Sequence, residues 1–296
     1  MKWRSVWSRI GWVKQGLLDS QEETASVPIS SFPFVSGDTF LQMAGVIFAS
    51  DGVVRRAGIS SKICFAAAPV ACDEGFRDRA EAFLRGQSTQ DFILIIHNGD
   101  TIPPQATLNL LGEMFTAVYC VNVISETRRL RALPIGLENA RLNNNGRLDY
   151  YLPGLEQARS INRSRLVVSS FHESNNPAVR EPTAELFRKS RFGFHGHSWK
   201  RKEYRDVLKE TCFVISPPGN GPDCHRTWEA LYMGAIPVVL KSQLANSLVK
   251  GMPILAVDSY EEFVGKDDSD LRGIYRDLTA LSATKAFATH WIMEFC

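Results

Sequence analysis

Two α/β domains, each built on a mainly parallel sheet, are what this chain predicts. Three observations carry the prediction. Short apolar runs of strand length recur along the chain, and they are continuous rather than alternating, as strands covered on both faces are. Amphipathic helical stretches separate them. A turn-rich stretch, with Asn143, Asn144, Asn145 and Gly146 followed by Pro153-Gly154, splits the alternation into two halves. A length of 296 residues with 44% apolar content suits two packed cores of ordinary size.

The elements follow in order. Residues 21–33 are polar, with Ser and Pro, and read as a linker. In the first domain, 34–150, strands are expected over 44–49, 62–67, 92–96, 117–124 and 133–135. Helices are expected over 73–85, where Phe76, Ala80 and Phe83 keep helical register, and over 103–115, with Pro near its start. An interdomain linker is expected within 143–162. The second domain, 163–270, has expected strands at 166–169, 192–194, 213–215, 236–240 and 254–257. Helices are expected at 177–189, 199–210, 224–233, 243–250 and 259–264. The tail, 271–296, reads as helical, with Leu271, Ile274, Tyr275 and Leu278 at helical spacing. In open α/β sheets ligands bind beyond the carboxyl ends of the strands, so residues at strand ends are the ones to inspect.

The most specific segment is 212–242. Phe213, Val214 and Ile215 form a buried strand, and Pro217, Pro218, Gly219, Asn220, Gly221 and Pro222 form a loop that ends it. Asp223 is a good N-cap type before a helix that Gly234 closes. A glycine-rich turn feeding a helix at the carboxyl end of a parallel strand is a natural anion site, because free N–H groups and the helix dipole both favour phosphate. Asp223, Arg226 and Glu229 are three apart and share a helix face, while Trp228, Leu231 and Tyr232 face the core. Arg226, in the first turn, is placed to fork onto a diphosphate. Glu229, one turn deeper, is placed to accept from the vicinal hydroxyls of a ribose. The alternative for this pair is a surface Arg226–Glu229 ion pair.

Pro218, Gly219, Arg226, Glu229, Ala230, Gly234, Ile236, Pro237 and Val238 together resemble the donor-binding motif of the exostosin-like glycosyltransferases. The resemblance covers this segment alone. It implies a GT-B fold, in which two doubly wound Rossmann-like domains face each other across a cleft. It also implies a nucleotide-sugar donor, such as a UDP- or GDP-sugar, held by the second domain, and a glycan or glycolipid acceptor at the first. The implied activity is glycosyl transfer in polysaccharide or glycoconjugate synthesis. No cofactor is called for. The mechanism expected is metal-independent: Arg226, His225 and the loop N–H groups after Pro218 stabilise the leaving diphosphate with fixed charge. A nucleotide-sugar epimerase on the same fold and a non-catalytic nucleotide-sugar binder remain the alternatives.

Weaker signals mark the rest of the site. Transfer to a hydroxyl needs a general base, and the candidates are Asp100 and His97 in the turn His97-Asn98-Gly99-Asp100 after strand 92–96. Glu138, after Leu133-Pro134-Ile135-Gly136, is a third. The alternative for the first two is a turn that caps the next helix, and for Glu138 a solvated loop carboxylate. Arg180 follows the polar run 169–176 and is a candidate for added positive charge against the diphosphate. His195 and His197 flank Gly196 in what reads as a loop over the donor; no carboxylate or cysteine completes a metal set beside them. Asp268-Ser269-Asp270 matches a D-x-D triplet but reads as a connector before a helix.

Bulk properties narrow the classes. A net charge of +2 gives no general pull toward nucleic acid. No G-x-G-x-x-G follows an early strand and no G-K-[ST] element occurs, which disfavours a nicotinamide dehydrogenase and a P-loop nucleotidase. Cys64, Cys72, Cys120, Cys212, Cys224 and Cys296 are scattered without a C-x-x-C pair, which points away from zinc and toward a reducing cytoplasm. Residues 1–18 place Trp3, Val6, Trp7, Ile10, Val13 and Leu17 on one helical face, with basic and polar residues largely opposite. That pattern suits either packing on the protein or a peripheral seat on the inner face of a membrane. Animal exostosin relatives carry a membrane anchor; the lack of a long apolar stretch here suggests a bacterial or viral cytosolic enzyme.

Overall fold

The computed structural model describes residues 31–58, 60–89, 91–142, 145–152, 163–196 and 199–295. The expectations for residues 1–18, for most of the interdomain linker and for His197 lie outside these. The described chain is α/β, with a mixed sheet of six strands and a parallel sheet of four. Among the described residues no helix is long and apolar enough to cross a membrane.

The first sheet comprises β1 (Val46–Phe48), β2 (Val54–Arg56), β3 (Ile63–Ala67), β4 (Ile93–His97), β5 (Ala117–Val121) and β6 (Leu130–Leu133), in the order β2-β1-β3-β4-β5-β6. Only β2 runs antiparallel, as a hairpin edge. It carries Arg55 and Arg56 on an exposed strand, so no apolar run announced it. Strand β6 stops one residue before Pro134, which has no N–H for the ladder. The expected strand over 133–135 therefore lies earlier. Helix α1 (Gly37–Leu41) is capped by the Ser36 hydroxyl and follows no recognisable apolar repeat. Helices α2 (Ala68–Ala71), α3 (Phe76–Arg85) and α4 (Gln105–Met114) cover the sheet. Phe76, Ala80 and Leu84 pack from α3, and Leu108 and Leu111 from α4, onto Leu94, Ile95 and Ile96. Cys64 and Cys120 are core residues of this sheet, and burial pushes both thiols up to about 12.

The second sheet holds β7 (Arg165–Ser169), β8 (Thr211–Ile215), β9 (Ile236–Leu240) and β10 (Leu255–Val257), adjacent in chain order. Its helices are α5 (Pro177–Lys189), α6 (Arg201–Lys209), α7 (His225–Tyr232), α8 (Asn246–Val249), α9 (Tyr260–Gly265) and α10 (Asp268–Thr279). Phe213 and Ile215 of β8 pack with α5, α9 and α10, through Ala184, Phe187, Phe263 and Leu271. Val214, between them, packs on the opposite face with Leu208 of α6 and Trp228 and Leu231 of α7. Period-two side-chain direction thus places helices on both faces. The expected strand over 192–194 does not form, because Gly193 and Gly196 take left-handed φ values of 72° and 59°. The run nonetheless lies against the end of β7, where His195 N–H donates to Ser169 O at 2.9 Å. Asp267, expected in a connector, caps α10 through Asp270 N, so Asp268-Ser269-Asp270 is that helix's first turn.

The halves share a core. Phe34, Val121, Ile135, Leu137 and Tyr151 from the first pack with Val214, Trp228, Leu231 and Met233 from the second. The last helix, α11 (Ala288–Phe295), returns to the first sheet, with Trp291 and Phe295 against Tyr119 and Phe40.

Candidate functional site

The loops after β4, β5, β6 and β8 meet where the halves join. Asn98 and Asn122 follow β4 and β5 directly, with left-handed φ values of 56° and 64°. Non-glycine residues held there are strained and recur at functional sites. Asn122 is the link: its Nδ2 donates to Asp100 O at 3.3 Å, and its Oδ1 accepts from Asp223 N at 3.3 Å. Sequence reasoning ran a strand through Asn122 and missed it. The available signal was an asparagine placed directly after an apolar strand.

The 217–222 loop is pinned from behind. Arg180 donates through Nε to Pro218 O at 2.9 Å, through Nη1 to His172 O at 2.9 Å and through Nη2 to Pro217 O at 3.3 Å. Asn176 Nδ2 donates to Gly219 O at 3.0 Å. Three guanidinium N–H groups thus go to backbone carbonyls, so Arg180 holds the loop in place while its positive charge stays beside it. Burial, and then the nearby Arg226 guanidinium, lowers Arg180 to about 10. Close approach explains both glycines of the loop. A Cβ on Gly219 would meet Arg180 Nη2 at 2.8 Å, and one on Gly221 would meet the Asn122 amide at 2.8 Å. With the carbonyls of Pro218 and Gly219 drawn toward α5, the following N–H groups turn the other way. That of Gly219 closes onto Gly221 O at 3.0 Å.

Asp223 is not the helix cap. Cys224 is, with extended φ and ψ and no side-chain cap bond. Asp223 is instead buried between the halves, accepting from Ile135 N at 2.7 Å and from Trp228 Nε1 at 2.9 Å. Burial raises its carboxyl to about 6 despite those bonds. His225 also reaches across, and its Nδ1–H donates to Gly136 O at 2.8 Å.

Arg226 forms no ion pair with Glu229 or with any other carboxylate among the described residues. Its Nε is buried without a partner. Its guanidinium lies 5.9 Å from the Phe171 ring, and that of Arg180 lies 5.7 Å from the same ring. Glu229 is buried behind Arg226, 7% exposed. Burial raises its carboxyl; His225 and Arg226 oppose this, and Glu138 adds to it. No hydrogen bond engages the Glu229 carboxylate among the described residues. Glu138, whose charge adds to the Glu229 rise, accepts through Oε2 from Asn145 N at 2.6 Å.

The base candidates separate clearly. His97 is buried, and both of its nitrogens are committed. Nε2–H donates to Pro134 O at 3.1 Å, and Nδ1 accepts from Asn98 N at 2.7 Å. Burial lowers it to about 4, and with no free lone pair it has no proton-accepting role here. Asp100 is exposed at the lip of the junction, where its Oδ2 accepts from Asn220 Nδ2 at 3.2 Å. His195 stacks on Trp199 at 4.8 Å. The structure thus brings Asp100, Glu138, Asn220, His225, Arg226 and Glu229 to one junction, and assigns His97, Arg180 and Asp223 to holding it.

No protein-family model matches the chain, and no curated protein matches it.

Proposed function

We propose that the chain is a GT-B glycosyltransferase that binds a nucleotide-diphosphate sugar at the N-terminus of α7 and transfers the sugar to a hydroxyl of a glycan or glycolipid. The observation that carries the reading is Arg226: a guanidinium with a buried, unpartnered Nε and no ion pair, at an uncapped helix N-terminus after a glycine loop. The backbone N–H groups of His225 and Arg226 have no intrahelical carbonyl to reach. Helix dipole, N–H groups and guanidinium all favour a diphosphate there. Glu229, acceptor-only when ionised, takes the ribose hydroxyls. Asp100, across the junction, takes the acceptor's proton. As the sugar transfers, the C1–O bond to the diphosphate breaks and its electron pair stays on the phosphate oxygen. Arg226 offsets the charge that develops.

Titration calorimetry with UDP and GDP tests the reading. Arg226→Ala is expected to weaken binding by about 100-fold, the loss of a charge-assisted fork, with an unchanged melting temperature. Equal affinity in wild type and variant would remove Arg226 from the site and the reading with it. Incubation of a bound nucleotide sugar without acceptor checks the class, since an epimerase would change the sugar and a transferase would not.

A further inference from the structure

The hydroxyl oxygens of Tyr204 and Tyr260 are buried, and neither hydroxyl donates to an acceptor among the described residues. Buried hydroxyls are paired as a rule, so two left open beside an open guanidinium form an arrangement that a ligand completes. The three groups come from separate helices. Tyr204 sits in the first turn of α6, Arg226 in the first turn of α7, and Tyr260 opens α9. Tyr260 belongs to the core on one face of the second sheet, 6.3 Å from Phe187. Tyr204 belongs to the other face, 6.5 Å from Trp199. The Arg226 guanidinium is near both hydroxyls, and as a donor only it can meet the Tyr204 oxygen while leaving that hydroxyl's proton free.

We propose that Tyr204, Tyr260 and Arg226 form a collar of donors that receives the terminal phosphate of a nucleoside diphosphate, a subsite that rests on the donor-binding reading above. Arg226 can only donate and both hydroxyls have a proton to donate, while phosphate oxygens accept without donating and carry negative charge, so the set suits phosphate. Arg226 lies by the Phe171 ring with the loop-holding Arg180 beside the same ring, and neither guanidinium has an ion pair among the described residues, so positive charge there awaits an anion. Burial raises both phenols, with Arg226 opposing, and they stay protonated at working pH. Their role is therefore to donate hydrogen bonds, not protons. When the C1–O bond breaks and the phosphate gains a charge, both phenolic bonds strengthen while both protons stay in place.

Tyr204→Phe and Tyr260→Phe, each titrated with UDP, GDP, UMP, GMP and inorganic pyrophosphate, test the collar. Each variant removes one oxygen and keeps the ring, and its melting temperature reports whether it folds. The expected result is about 10-fold or greater weakening for UDP or GDP and for pyrophosphate, with UMP or GMP affinity unchanged. Unchanged diphosphate affinity in both variants, or an equal loss for mono- and diphosphates, overturns the collar and leaves the donor-binding reading intact. Wild type that binds pyrophosphate but no nucleotide, with both variants weakened, overturns the donor reading and keeps the collar as an anion site. Wild type that binds none of the five overturns both.

Discussion

Asp223→Asn probes how the two halves are latched, and its effect is worked from one titration. Asp223 lies between Ile135 N–H and the Trp228 indole, and burial raises its carboxyl from 3.8 to about 6. A carboxyl raised in the folded state holds its proton more tightly there than in the unfolded chain. The stability it contributes is thus present at low pH, and is lost as pH rises from the unfolded value through the folded one. The shift corresponds to about 3 kcal/mol in total, of which about 2 kcal/mol falls between about pH 7.5 and pH 4.5. Asparagine is nearly isosteric and does not ionise, so Asp223→Asn lacks this term while every other titrating group is shared. Urea unfolding of both proteins at the two pH values isolates it. Wild type is expected to gain about 2 kcal/mol relative to the variant on acidification. A difference between the proteins that stays constant with pH would refute the burial argument.

Two further outcomes follow from the site. Arg180→Ala strips three loop carbonyls of their donor and is expected to cost about 2–4 kcal/mol in urea unfolding. Arg180→Lys should recover little of this, since an ammonium cannot reproduce the fork. Glu229→Gln is expected to erase about a 10-fold calorimetric preference for UDP over 2′-deoxy-UDP, because the preference arises from a carboxylate accepting from the ribose hydroxyls; a preference that survives places the ribose elsewhere.

Elements governed by local pattern were legible in the sequence. The apolar runs of β3, β4, β5, β8 and β9 and the helix α5 follow from composition and period, because a strand covered on both faces has few chemical alternatives. Elements without such a pattern were not. β2 is a polar edge strand, α1 depends on the Ser36 cap, and the run at 193–196 is kept from being a strand by two left-handed glycines. Those depend on pairing partners and backbone geometry that the local residue pattern does not carry.

The site divides in the same way. By itself the sequence determined that a glycine-rich loop precedes a helix carrying Arg226 and Glu229, since spacing on a helix dictates which side chains share a face. Only the tertiary structure decided what each polar residue does. Arg180 read as charge alone, and the structure gives its guanidinium a holding role on the Pro217, Pro218 and His172 carbonyls. His97 looked like a base until Pro134 O and Asn98 N occupied both of its nitrogens. Asp223 looked like a cap until the first half supplied Ile135 N–H. In each case the deciding partner lies on another element, often more than thirty residues away. A polar group's function depends on whether burial leaves its hydrogen bonds filled or open, and that is set only when distant segments pack.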